Sequence, residues 1–266
     1  MSPRQACLNC LNRDAPALLE AALWMSAEHD PLLQPGEVLQ RFNDLQHQVS
    51  AGLPCLPASE LAQPLVRRLL ALGFHAELEL LPHPASALLH QVLQRRQGQP
   101  LALALIALEL AKRLDIPLSG VNFPGHFLLR VPGADHLLDP GSGRRLYPRD
   151  CRELLLRNGQ PGELRAEHLQ PCDATTLLQC LARTLRQLHR HAEDYLAALK
   201  DAERVLQLGP PQAEDHLARA EIYDYLDCPQ GARFDLQQAL LLSDDALQNL
   251  HLSQRLRQLQ QGPALH

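Results

Sequence analysis

No apolar run in this sequence reaches the roughly 18 residues that a membrane-spanning helix requires. The longest, Leu101–Ala111, carries Glu109 and runs into Lys112 and Arg113, so it reads as a buried helix. The opening residues MSPRQACLNC lack the apolar core of a signal peptide, which makes a cytoplasmic protein the expectation. Lysine is nearly absent: Lys112 and Lys200 stand against a background of arginine, a bias of genome composition and not of function. No basic stripe is present, because Arg95–Arg96 and Arg144–Arg145 are short pairs and the net charge is −5. Neither a membrane nor a nucleic acid is therefore an expected partner. HExxH, P-loop and dinucleotide GxGxxG patterns are missing, and no cofactor is expected.

The metal signals are equally thin. Seven cysteines, odd in number and scattered, fit reduced thiols better than a disulfide framework. Cys7 and Cys10 have the spacing of zinc or redox thiols, but no second CxxC or close histidine pair follows, and the N-terminus there is expected to be ragged. His83 and His90 could share a helix face, lack a third ligand and are expected at the surface. His189 and His191 alternate, so one helix sends them to different sides. A metal-dependent hydrolase built on His126, His136 and Asp139 is disfavoured, since His136 and Asp139 lie three apart on a strand and face opposite sides. No metal is expected.

What is there suits a folded protein. Hydrophobic residues make up 45% and charged residues 21% of 266, enough for one large or two small domains. The first third is helical by period: Leu18, Ala21, Ala22 and Met25, then Val38, Phe42, Leu45 and Val49. Ala51–Ser59 reads as a loop, Glu60–Leu72 as a helix closed by Gly73, and HPASALLHQVLQRRQG as a helix stopped by Gly98. Pro100 suits the first position of a helix running to Leu114, where an N–H has no helical partner to lose. After Pro117 the texture changes to short apolar runs, LSGVNF, HFLLRV, HLLD and RLYP, separated by Pro and Gly, which predicts a small antiparallel sheet. Helix followed by sheet in one unit argues an α+β class. A helix over Asp150–Asn158 closes the unit, and Gln160–Asp173 reads as a linker.

The remainder repeats. ALKDAERVLQL begins at Ala198 and ARFDLQQALLL at Ala232, an offset of 34 residues that aligns Asp201 with Asp235 and Leu208 with Leu242. That is the tetratricopeptide period. Expected boundaries are residues 1–160 for the α+β domain and 174–262 for the repeats.

Two residues carry the chemistry. His126 in GVNFPGHFLLRV opens one apolar strand, and Asp139 in HLLDP closes the next. Such a pair ordinarily activates a nucleophile. Together with the GxP before an apolar helix, these motifs resemble the core of the bacterial transglutaminase-like proteins that carry C-terminal tetratricopeptide repeats, the invasion-regulator B1 type. The resemblance extends to LLEAALWMSAEHDP and to the repeats, so it spans most of the chain. It implies a papain-type triad, with a cysteine at a helix N-terminus, His126 as its base and Asp139 orienting the imidazole. The cysteine position falls two residues after Gly98, and Pro100 occupies it. Proline supplies neither sulfur nor the backbone N–H of an oxyanion hole. No Ser, Thr or Cys lies between Ser86 and Ser119.

A thiol from elsewhere would be needed, and Cys55 in its loop is the best candidate; Cys151 reads as a packing residue. The resemblance and Pro100 together imply a vestigial His126–Asp139 pair in a degenerate enzyme that binds an unidentified protein or peptide through its repeats. The alternative is a cysteine-dependent amidase, peptidase or acyltransferase using Cys55, His126 and Asp139. Both residues also have plain readings. His126 could be a structural histidine bonded to a carbonyl or to Asp139, and Asp139 could cap the N–H groups of its own Asp–Pro–Gly turn.

Overall fold

The structure, a computed structural model, describes residues 1–77 and 83–260. The last two residues of the expected repeat region, 261 and 262, lie outside the described residues. The chain divides into two compact units, the first Met1–Leu181 and the second beginning at Ala182. The architecture is mostly helical α+β, with a small antiparallel sheet in the first unit and helical pairs in the second. Among the described residues no helix is long and apolar enough to cross a membrane.

The first unit opens with α1 (Pro3–Leu11), α2 (Leu18–Ala27), α3 (Pro35–Ser50) and α4 (Ala62–Ala71). The N-terminus is an ordered helix, not a ragged end: the Ser2 hydroxyl accepts from the Gln5 N–H and Pro3 sits in the first turn. After α4 come β1 (His75–Ala76), α5 (Leu89–Arg95), β2 (Gln97–Gly98) and α6 (Pro100–Arg113). Every residue of α6 from Leu101 to Leu108 is buried, as are Leu110 and Ala111. A helix apolar all round needs partners all round, and α6 packs against α2, α4 and the sheet.

The stretch expected as a single helix from His83 is broken. A 3-10 turn at Pro84–Ser86 precedes α5, and α5 ends where Arg96 adopts a left-handed backbone, φ 59°. The next two residues pair in parallel with β1, His75 opposite Gln97 and Ala76 opposite Gly98. Gly98 has no alternative there, because a Cβ would stand 2.7 Å from the Ser86 carbonyl oxygen and 2.8 Å from both Val92 methyls.

The sheet runs β3 (Ser119–Phe123), β4 (His126–Arg130), β5 (Leu137–Leu138) and β6 (Arg145–Leu146), antiparallel and in chain order. Alternation along the strands sends Val121, Phe123 and Leu128 into a core with Leu137, Leu146, Cys151 and Leu155. Helix α7 (Pro148–Arg157) closes it, with the Asp150 carboxylate in its first turn accepting from the Tyr147 N–H at 2.9 Å. Residues 160–173, expected as a linker, are bound to the first unit. The Cys172 N–H donates to Gly120 O at 2.8 Å, Arg130 donates to Leu169 O at 2.9 Å, and Leu164 and Leu169 join the sheet core.

Helix α8 (Ala174–His191) leads into the second unit, which continues as α9 (Tyr195–Leu208), α10 (Ala213–Tyr225), α11 (Pro229–Leu242) and α12 (Ala246–Gln260). The 34-residue register has a structural counterpart in buried charge. Asp201 on α9 and Asp235 on α11 are both fully buried, and each bonds a histidine from the preceding helix, His189 Nδ1 at 2.7 Å and His216 Nδ1 at 2.8 Å. The leucines at the end of the register diverge: Leu208 is buried and Leu242 is exposed.

Candidate functional site

The hairpin of β3 and β4 is made by two residues. Phe123 pairs with His126, and Pro124–Gly125 form the turn between them. Gly125 has φ +71°, the value a type II turn demands after proline. The turn sets His126 at the exposed mouth of β4, where the C-cap residue of α7 meets it. Asn158 Nδ2 donates to Pro124 O at 2.8 Å and lies 3.1 Å from His126 Nδ1.

This network assigns the imidazole. A carbonyl oxygen only accepts, so the amide nitrogen of Asn158, not its oxygen, faces Pro124. Its second N–H then points at His126 Nδ1, which must be a lone pair. The neutral imidazole therefore carries its proton on Nε2. A general base needs a ring lone pair free for the nucleophile's proton; here the Asn158 N–H occupies Nδ1 and Nε2 holds the proton.

Asp139, directly after β5, is engaged in its own turn. Oδ1 accepts from the Gly141 N–H at 2.8 Å and Oδ2 from the Ser142 hydroxyl at 2.8 Å, while its backbone bonds Arg144 and Gly143. Among the described residues no hydrogen bond joins Asp139 to His126. The plain reading of Asp139 as a turn cap is the one its contacts follow.

Pro100 is the first residue of α6. The neighbouring hydroxyl belongs to Ser86, which is fully buried and donates to His83 O at 2.7 Å. The Gln99 N–H donates to Ser86 O at 2.7 Å, so the entry to α6 is tied to that turn by backbone bonds. Cys55 is an exposed free thiol, and among the described residues no hydrogen bond links it to His126. Cys151 is buried, and burial pushes its thiol pKa up, as a packing residue requires. Cys7 and Cys10 are buried in the packing of α1; burial, then the charge of Glu20, pushes Cys10 up to about 11.

The other histidines separate. His83 accepts from the Ala85 N–H and is exposed. His90 was expected at the surface; its side chain is only 11% exposed, with Nε2 3.4 Å from Asp30. His189 is buried and His191 exposed, on different sides as the spacing requires. His136 pairs with Asp135 at 3.0 Å, and the ligand atoms of His126, His136 and Asp139 are not gathered as one ion would need.

Two residues near the site escape the sequence reading. Asn158 reads there only as a helix end. His75 sits on a two-residue strand too short to leave a period; its Nδ1 lies 3.1 Å from Ala76 O and its Nε2 3.3 Å from Gln97 Nε2. The Ala76 N–H donates to Gly141 O at 3.3 Å, so β1 borders the Asp139 turn.

Gly125→Ala tests the hairpin. A Cβ there would fall 2.4 Å from Asn158 Nδ2, on a backbone that disfavours side chains. We expect a loss of about 1–2 kcal/mol in thermal or denaturant unfolding, together with displaced His126 ring resonances.

Comparison with known proteins gives the family. A family model described as the transglutaminase-like superfamily matches residues 36–186, which include Pro100, His126 and Asp139. A UPF0162 protein of Pseudomonas aeruginosa is 58% identical over 261 residues, 97% of each chain. Protein SirB1 of Salmonella typhimurium is 33% identical over 152 residues, 56% of each chain, and the UPF0162 protein YchA of Escherichia coli K12 is 34% identical over the same share. The chain belongs to the transglutaminase-like superfamily and, within it, to the UPF0162/SirB1 family.

Proposed function

We propose that this protein is a catalytically degenerate transglutaminase-like protein that acts in the cytoplasm as a protein-binding or regulatory module. The observation that carries this reading is Pro100 at the first position of α6, where the superfamily's chemistry calls for a thiol and an N–H. The Asn158 amide on His126 Nδ1 supports it, because the one lone pair of the neutral ring is engaged by that N–H.

The binding element is the second unit, a tetratricopeptide-type array in this reading, a fold-level analogy supported by the 34-residue register. Tyr195 and Tyr225 stack there at 4.4 Å in a groove of about 790 Å³ bordered by Glu221 and Asp224. Stacked phenols with a polar border suit an extended peptide, since they give contact area at low entropic cost.

A second reading rests on Cys55, an exposed free thiol: an amidase, peptidase or acyltransferase that uses it with His126 and Asp139. Limiting iodoacetamide on the native chain and on His126→Ala, read by peptide mass spectrometry, separates the two. The degenerate reading expects Cys55 to label at the same rate in both proteins. One cysteine labelling far faster than the rest, and losing that advantage in His126→Ala, would establish an activated thiolate and overturn it.

A further inference from the structure

The first unit holds a second concavity, away from His126 and Asp139. It is lined by α3, α5 and the flanking residues Leu33, Phe74 and Arg96, with a volume of about 240 Å³. Its walls are apolar and aromatic: Phe42, Leu45, Phe74 and Leu93. This is below the roughly 300–1,000 Å³ typical of drug-sized ligand sites, so its occupant is small.

The polar lining is one-sided. Arg41, Arg96 and Asp44 give the rim a net positive charge when His90 is neutral. Arg96 donates to Leu72 O at 2.6 Å and stands 5.7 Å over the Phe74 ring, yet among the described residues it has no carboxylate partner. Its left-handed backbone presents this guanidinium beside the cavity, and strain of that kind in a residue with a side chain is a mark of functional sites. Among the described residues Arg41 pairs with Glu37, at 3.9 Å, and both are exposed.

His90 lines the same cavity. Its Nε2 faces Asp30, while its Nδ1 is buried and has no hydrogen-bond partner among the described residues. In the neutral ring Nε2–H faces the Asp30 carboxylate and Nδ1 is a lone pair, so His90 shapes the wall and does not bind an anion.

We infer that this cavity binds a small carboxylate with an apolar body, in class a medium-chain carboxylic acid. The headgroup meets Arg96, and the hydrocarbon lies against Phe42, Phe74 and Leu93. The site is independent of the degenerate triad and of the helical pairs.

The test titrates the full chain with octanoate, octan-1-ol and octylammonium, by calorimetry and by ring resonances of His90 and Phe74. Octanoate should bind saturably and shift both rings, with octylammonium weaker by about tenfold or more. Arg96→Asn tolerates the left-handed backbone. It should weaken octanoate by about tenfold and leave octan-1-ol unchanged. Leu93→Trp, which fills the cavity, should remove binding of all three. Equal binding of octylammonium, no saturable octanoate binding, or octanoate shifts that avoid His90 and Phe74 would each overturn the assignment.

Discussion

Asp235→Ala is expected to cost the second unit about 3–5 kcal/mol, enough to unfold much of it at ambient temperature. The carboxylate is fully buried and accepts three charge-assisted bonds: from His216 Nδ1 at 2.8 Å, Arg219 Nε at 2.7 Å and Arg219 Nη2 at 2.8 Å. The two guanidinium bonds form a fork across α10 and α11, the geometry in which arginine–carboxylate pairs are strongest. Truncation removes the acceptor and leaves the donors behind. The Arg219 side chain is only 15% exposed, so water cannot fully replace what it loses. Urea unfolding followed by circular dichroism measures the effect. A loss below about 1 kcal/mol would mean that the pair only offsets its own desolvation.

Leu105→Ala is expected to destabilise the first unit by about 2–5 kcal/mol. Leu105 is fully buried at the middle of α6. Removing its branched end there opens a cavity that α2, α4 and β4 would have to move inward to fill, and a helix packed on several sides cannot approach all of them at once. The cost should appear in denaturant unfolding and as faster amide exchange along β4, the strand that carries His126. Leu105→Met, which keeps the volume, should cost less than about 1.5 kcal/mol. Equal behaviour of the two variants would show that α6 is not the packed centre of this unit.

Much of this architecture is legible in the sequence because burial leaves a period. The unbroken apolar run of α6, the short strands after Pro117 and the 34-residue register of Asp201 with Asp235 all follow from which faces must avoid water. Local chemistry is legible too, since Pro124–Gly125 dictates its turn and Asp139 caps its own. Long-range polar partners leave no such trace. Asn158 lies 32 residues from His126, and nothing in the intervening pattern announces that their side chains meet. The parallel pair of β1 and β2 is two residues long, below any detectable alternation. Residues 160–173 have the composition of a linker, yet hydrogen bonds to Gly120 and Asn122 hold them against the sheet. His90 misleads for a related reason: a polar side chain counts as exposed in a periodicity argument, and here it packs beside Asp30.

The central claim is that Asn158 donates to His126 Nδ1, so that the ring's one lone pair is engaged while Nε2 carries the proton. The measurement that tests it most directly is a long-range proton–nitrogen correlation spectrum of the neutral imidazole, assigned with His126→Ala and repeated in Asn158→Ala. The account predicts a protonated Nε2 and an unprotonated Nδ1 in the native chain, with the Nδ1 resonance moving when Asn158 is removed. A protonated Nδ1, or an Nδ1 resonance unaffected by Asn158→Ala, would show that the amide does not hold the ring and would contradict it.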